Sequence, residues 1–370
     1  MPSRKSSKEV APKLAKGGFP KLDLPISIPF PPMEAKRQET VPDGKGWQYE
    51  PKWDGFRAVV FRSGDTVALQ SKSGQPLTRY FPEVVEALLA LPQKEFVLDG
   101  EIVVPVEGRL SFDDLLLRIH PAESRVRKLA AETPAHFFAF DLLYGAGRSK
   151  KALIGEPLTA RRERLEKFFD SVPDGSLVKL SPATTDRKVA LQWFEQFGSI
   201  GLDGVMAKRA GEPYHSGDRE GMIKVKHLKS ADCVVGGYRY GEGTRAIGSL
   251  LLGLYDAAGH LVHIGHTSSF NSNERQRLKK TVEALRDENP FSIRVPGGPS
   301  RWSNERTGEW EAVRPELVCE VEYDYFSQGR FRHGSKFLRW RPEKDPRSCT
   351  MDQVVPAGGS RSKRTLGNLM

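Results

Sequence analysis

The sequence predicts an α+β domain of antiparallel sheets and helices, followed by a small all-β antiparallel barrel. Two observations predict this. Up to about residue 228, short apolar runs alternate with segments of helical period. Beyond "HLKSAD" the chain becomes a series of glycine-punctuated strands with one helical stretch. A chain of 370 residues is long enough to give each domain its own core.

The elements follow in order. "LPISIPFPP", residues 24–32, is an extended, proline-rich entry segment. Strands are expected near 56–62 and 66–70, a helix near 82–91, and a strand at "EFVLDGEIVV", 95–104. A helix near 112–119 and the strand "HFFAFDLLY" come next. Helices follow at 159–170 and 186–197, the second with Asp186 at its N-cap and Gly198 past its end. "GVMAK" and "MIKVK" are short closing strands. In the second region "CVVGGYRYGEG", "GSLLLGLYDAAGHLVHIGH", "ELVCEVEYDYF" and "RFRHGSKFLRW" read as barrel strands, with a helix near 272–287.

Charge and cysteine usage narrow the function classes. The net charge of +10 points to a polyanionic partner. Residues 1–21 carry six Lys/Arg against Glu9, and residues 354–370 carry Arg361, Lys363 and Arg364 with no acid. Residues 1–23 and 353–370 are therefore expected to be disordered basic tails. Cys233, Cys319 and Cys349 lie far apart, so neither a disulfide framework nor a zinc site is indicated and a reducing compartment fits. No apolar run approaches a membrane span and the start lacks a signal-peptide core, so a cytoplasmic protein with no membrane association is expected.

The chemistry centres on "YEPKWDGFRAVVF", residues 49–61. The Lys52-to-Gly55 tetrapeptide fits a solvated turn before a strand, and it also fits a nucleophile at the mouth of a pocket. Further residues bear on that choice. Glu101 in "LDGEIVV" and Asp203 in "GLDGVMAK" each stand beside a glycine and a short apolar strand. Lys224 and Lys226 in "MIKVK" share one strand face by the period of two. Clustered lysines with two acids suit a triphosphate and a divalent metal. Neighbouring cations would also push Lys52 toward the neutral amine that can attack. His260, His263 and His266 alternate faces of one strand and read as structural, and "GEGTRAIG" reads as a barrel loop.

In order, the chain shows "KWDGFR", "SKSGQPLTRYFPE", "LDGE", "FFAFDLLY", "LDGVMAK", "MIKVK" and "LRWRPEKDP". This series, from about residue 24 to 352, resembles the ATP-dependent DNA ligases of the covalent nucleotidyltransferase superfamily. It is most similar to the bacterial stand-alone LigC type and to the ligase module of bacterial end-joining ligases.

The resemblance implies an ATP-grasp-like nucleotidyltransferase domain over 24–228 and an OB-fold over 229–352. Lys52 would be the nucleophile that takes AMP from ATP. Glu50 would contact the adenine amino group, Arg57 the ribose, and Phe140 would stack on the base. Glu101 would touch ribose or metal, Asp203 metal, and Lys224 and Lys226 the α-phosphate. Arg341 and Lys344 would orient the pyrophosphate, and Ser71 and Lys72 would meet the DNA backbone. ATP, Mg2+ or Mn2+, and nicked duplex DNA are the implied cofactors and partner, for a monomer acting at the nucleoid in DNA repair. Asp203 replaces a usual glutamate, Lys72 a usual arginine and Met222 a usual tryptophan. An RNA ligase or a capping-type guanylyltransferase shares the lysine chemistry, but not the "SKSGQPLTRYFPE" stretch or the barrel ending.

Overall fold

The computed structural model describes residues 18–145, 150–196, 200–241, 243–244, 246–292, 296 and 309–354. It divides into two compact units, with the break after Lys226.

The first unit is built on two sheets. The larger contains β3 (Phe56–Ser63), β4 (Thr66–Ser71), β5 (Glu95–Val103), β8 (His136–Tyr144) and β9 (Val178–Leu180), in the order β4-β3-β5-β8-β9. The smaller contains β1 (Lys36–Gln38), β2 (Trp47–Lys52), β10 (Gly204–Arg209) and β11 (Met222–Lys226), in the order β1-β11-β10-β2. A two-residue-per-strand hairpin, β6 (Pro105–Val106) and β7 (Arg109–Leu110), follows β5.

The larger sheet is buried on both faces. Ala58, Val60, Leu98 and Ile102 pack with α1 (Pro82–Ala90), α2 (Phe112–Leu117) and α4 (Leu158–Phe169) in one core. Val59, Phe61, Ala68 and Val97 face a second core. This two-sided burial explains why "AVVF" is a continuous apolar run rather than an alternating one. Two further α-helices belong to this unit, α3 (Glu123–Glu132) and α5 (Arg187–Gln196). Asp186 accepts from the Lys188 backbone N–H, as the N-cap reading requires. Gly198 lies outside the described residues.

Three expectations need correction. Strand β2, which carries Lys52, is absent from the sequence reading because Pro51 demotes such a run. Here β2 is the edge strand of its sheet, where a proline is tolerated. Helix α3 also escaped, since it buries only Val126 and Ala130. The tails are shorter than charge alone suggested. Phe19 is fully buried with Val59, Phe61, Ala68 and Leu143, and Val354 packs into the core of the second unit. Residues 18–23, 353 and 354 therefore belong to the folded units, while 1–17 and 355–370 lie outside the described residues.

The second unit is a five-stranded antiparallel sheet. It contains β12 (Lys229–Tyr240), β13 (Ile247–Tyr255), β14 (Leu261–Thr267), β15 (Glu311–Tyr323) and β18 (Lys336–Trp340), in the order β14-β13-β12-β15-β18. A bridge from Thr267 to Ser335, just before β18, brings its two edges together. A small hairpin, β16 (Phe326–Ser327) and β17 (Arg330–Phe331), sits between β15 and β18. Helix α6 (Ser272–Glu283) starts at a capping box formed by Asn271 and Glu274 and ends four residues earlier than the sequence pattern suggested. His263 packs edge-on to Phe291 inside this unit, and of "GEGTRAIG" the described residues 241, 243, 244 and 246 lie between β12 and β13 while Ile247 and Gly248 open β13. All three cysteines are buried free thiols.

Phe19→Ala tests the shortened tail. Emptying that site should lower the unfolding free energy by about 3–5 kcal/mol in urea titration. A neutral substitution would return residues 18–23 to the tail.

Candidate active site

The segment "KWDG" is where the chain leaves one sheet of the first unit and enters the other. Trp53 anchors this crossing. Its ring stacks on Phe138 with centroids 4.0 Å apart, and its Nε1 donates to Ser181 Oγ at 2.9 Å. Gly55 is required because a Cβ there would lie 2.2 Å from the Ile102 carbonyl oxygen. Lys52 is thus fixed at the end of β2, pointing into a cavity of about 170 Å³.

Strand register then sets the neighbours. Gly204 of β10 is opposite both Lys52 of β2 and Lys226 of β11. The next row on that face holds Glu50, Met206 and Lys224, and the third holds Gln48, Lys208 and Met222. Gly204 has φ +143°, and a Cβ would strike the Val225 carbonyl, so only glycine keeps this alignment. Asp203, one residue earlier, lies 2.5 Å from Lys52 Nζ and 3.1 Å from Lys226 Nζ through the same Oδ2. Burial pushes the Asp203 carboxyl up, but Lys52 and Lys226 outweigh it and hold the group below the usual range. The nearest charged partner of Lys52 is therefore a carboxylate, where the sequence had suggested cations. Lys224 is pulled below its ordinary value by burial and by Lys226, Lys52, Lys72 and Arg219.

The larger sheet supplies the opposite wall. Arg57 and Glu101 are cross-strand neighbours on β3 and β5. Asp99 is fully buried and grips the Arg57 guanidinium with both oxygens, at 2.8 and 2.6 Å. Its Oδ2 also accepts from Tyr214 Oη at 2.6 Å, and that hydroxyl accepts from the Met33 N–H at 2.9 Å. Phe140 is the extra residue of a bulge in β8, because Asp99 pairs with Asp141 while Gly100 pairs with Ala139. The bulge turns its ring into the cavity. Burial pushes Glu101 up to about 8, against the pull of Lys52 and Arg57.

Glu50, Lys52, Arg57, Glu101, Phe140, Lys224 and Lys72 all line this cavity. Lys226 and Asp203 join it through ion pairs to Lys52's end. Ser71 is not among the lining residues; its hydroxyl accepts from the Gln75 N–H and shapes the turn after β4. Lys72 is more than half exposed and pairs with Glu34 at 3.3 Å. Arg341 and Lys344 belong to the second unit, where both reach Asp232, at 2.9 and 3.3 Å.

A family model described as the ATP dependent DNA ligase domain matches residues 32–226, and one for the C terminal region of ATP dependent DNA ligases matches 243–344. The chain belongs to the ATP-dependent DNA ligase family. DNA ligase C1 of Mycolicibacterium smegmatis is 47% identical over 343 residues, spanning 90% of this ligase and 96% of the relative. DNA ligase C of Mycobacterium tuberculosis is 44% identical over 348 residues with the same shares. A solved Lig E DNA ligase shares the fold, with a TM-score of 0.53 at 19% identity over 84% of this ligase and 98% of that chain. These relatives make this an ATP-dependent ligase of the LigC type.

Asp99 and Lys208 were missed in the sequence. Each stands two residues from a residue that was singled out or lines the cavity, Asp99 from Glu101 and Lys208 from Met206. The period of two, already used for Lys224 and Lys226, leads from Glu101 to Asp99, whereas Lys208 follows only once Met206 is seen to line the cavity.

The Glu101 shift makes a signed prediction. The unfolded chain releases this proton near 4.5 and the folded protein near 8. Folding therefore takes up a proton in that window. The stability this contributes is complete below the unfolded value and is lost as pH rises through the folded one. Urea unfolding of the ligand-free protein at about pH 5 and about pH 9 should show wild type losing stability relative to Glu101→Gln as pH rises. Parallel profiles would contradict the burial of a neutral Glu101.

Proposed function

We propose that this ligase seals nicks between a 5′-phosphate and a 3′-hydroxyl in duplex DNA through a lysyl-AMP on Lys52. The observation that carries the reading is Lys52 Nζ held at the cavity floor by Asp203, beside Lys226 and Lys224. Lys52 Nζ attacks the α-phosphorus of ATP, the bond to the β-phosphate oxygen breaks, and pyrophosphate leaves. The adenylyl group passes to the 5′-phosphate, and the 3′-hydroxyl displaces AMP as the phosphodiester forms.

The side chains divide the work. Before attack the Lys52 ammonium must lose its proton, and Asp203 Oδ2, already in contact, orients Nζ toward the α-phosphorus. Lys224 and Lys226 hold the α-phosphate oxygens as charge builds on them. Arg57, kept rigid by Asp99, takes the ribose, and Phe140 stacks on the base. Glu101 and Asp203 are oxygen donors that suit Mg2+ or Mn2+. Among the described residues no group of three or more such side chains could hold a metal ion, which fits an ion shared with substrate phosphates. When bound, that ion neutralises phosphate charge.

Residues 24–228 serve as the adenylyltransferase domain and 229–352 as an OB-fold. Ser71 and Lys72 contact the nicked strand, and the enzyme works as a cytoplasmic monomer at the nucleoid in DNA repair. Arg341 and Lys344 act on the pyrophosphate, which is present only in the first step.

Nick closure with labelled ATP tests this reading. Arg341→Ala and Lys344→Ala should lose lysyl-adduct formation by about a hundredfold or more, the range for removing a charged transition-state contact. Both should still seal a nick already carrying 5′-AMP at near the wild-type rate. Equal loss on ordinary and pre-adenylylated nicks would remove them from the leaving-group role.

A further inference from the structure

Glu34 lines the cavity and has no part in the steps above. Its Oε2 stands 3.3 Å from Lys72 Nζ and 3.3 Å from Arg219 Nε, so one oxygen serves two cations. These cations come from distant parts of the chain. Lys72 follows β4, and Arg219 lies in the connection from β10 to β11.

The root of the carboxylate is fixed, but the charged ends are not. The Glu34 N–H donates to the Asp218 carbonyl at 2.7 Å, and Met33 before it is buried in the core with Phe61. The side chains themselves are 30% exposed for Glu34, 56% for Lys72 and 66% for Arg219. Ion pairs this exposed are weak, so a better anion replaces the carboxylate. Burial works to raise the Glu34 carboxyl, but Lys72 and Arg219 outweigh it and hold the group below the usual range. At neutral pH the protein therefore supplies the anion between its own two cations.

The anion that belongs there is a phosphate. Its oxygens can take a charge-assisted hydrogen bond from the guanidinium and another from the ammonium at once. A strand of DNA reaches this rim more readily than ATP does. Arg219 is not among the residues that line the cavity, and both cations are more than half exposed.

We propose that Lys72 and Arg219 form a seat for a phosphate of the nicked strand, and that Glu34 is a tethered competitor filling it until DNA arrives. This rests on the ligase reading above and extends its assignment of Lys72 to DNA. A carboxylate that must first be displaced lowers the affinity of any DNA that uses the seat. The cationic mouth is thus kept from holding phosphate so tightly that substrate and sealed product exchange slowly.

The test is binding of a fluorescent nicked duplex over a range of salt, in EDTA so that no sealing occurs. Glu34→Gln keeps the shape of the side chain and removes its charge. It should bind about three- to tenfold tighter at low salt, the combined worth of two exposed pairs. Its plot of log affinity against log salt should steepen by about 0.9, one further phosphate neutralised. Both effects should vanish when Glu34→Gln is combined with Lys72→Met and Arg219→Met, because nothing is left to vacate. Melting of each variant confirms folding. Equal affinity and slope for wild type and Glu34→Gln would overturn the proposal. A gain that survives without the two cations would also overturn it, since net charge alone would then be the cause. A lower KM for ATP in adduct formation, with DNA binding unchanged, would give the seat to the triphosphate and overturn the assignment to the strand. With ATP and Mg2+ added, failure of wild type to seal the nick would instead overturn the ligase reading.

Discussion

Gly204 lies in one row with Lys52 and Lys226 across three antiparallel strands, and the rest of the cavity depends on that register. The Asp203 N–H donates to the Lys52 carbonyl at 2.9 Å, so backbone and ion pair lock the same two residues. A slip of one residue would turn the whole of β10 over, sending Met206 and Lys208 to the other face. The glycine makes the row possible, because any Cβ would strike the Val225 carbonyl.

The rows also grade the cavity chemically. Near Gly204 two ammonium groups share one carboxylate oxygen, an arrangement that leaves a net positive charge at that end of the cavity. Two rows away, Lys208 and Glu50 form a buried pair beside Phe140. Between them, Arg57 is fixed by Asp99, which Tyr214 and the Met33 N–H hold in turn. That chain ties the entry segment and the residues before β11 to the Arg57 side chain in the cavity wall. Lys72 is less constrained. Its exposed pairing with Glu34 is weak enough for a phosphate to replace it.

Most of the first unit was legible because its strands are long apolar runs and its helices have clear faces. The register was not. Lys52 and Asp203 are 151 residues apart, and no local pattern says that they meet. Pro51 hid the strand that carries Lys52, since its tolerance depends on β2 being at an edge. Phe140 was readable as an aromatic in an apolar strand, but its direction comes from a bulge that needs the partner strand to be seen. The basic tails illustrate the opposite error. Charge composition blurred their ends, and one buried ring, Phe19, moved the boundary.

The central claim is that strand register selects Lys52, out of several lysines in and beside one cavity, as the nucleophile. Incubating the wild-type protein with ATP and locating the AMP by tandem mass spectrometry of its peptides tests this directly. The account predicts AMP on Lys52. AMP on Lys208, Lys224 or Lys226 would contradict it.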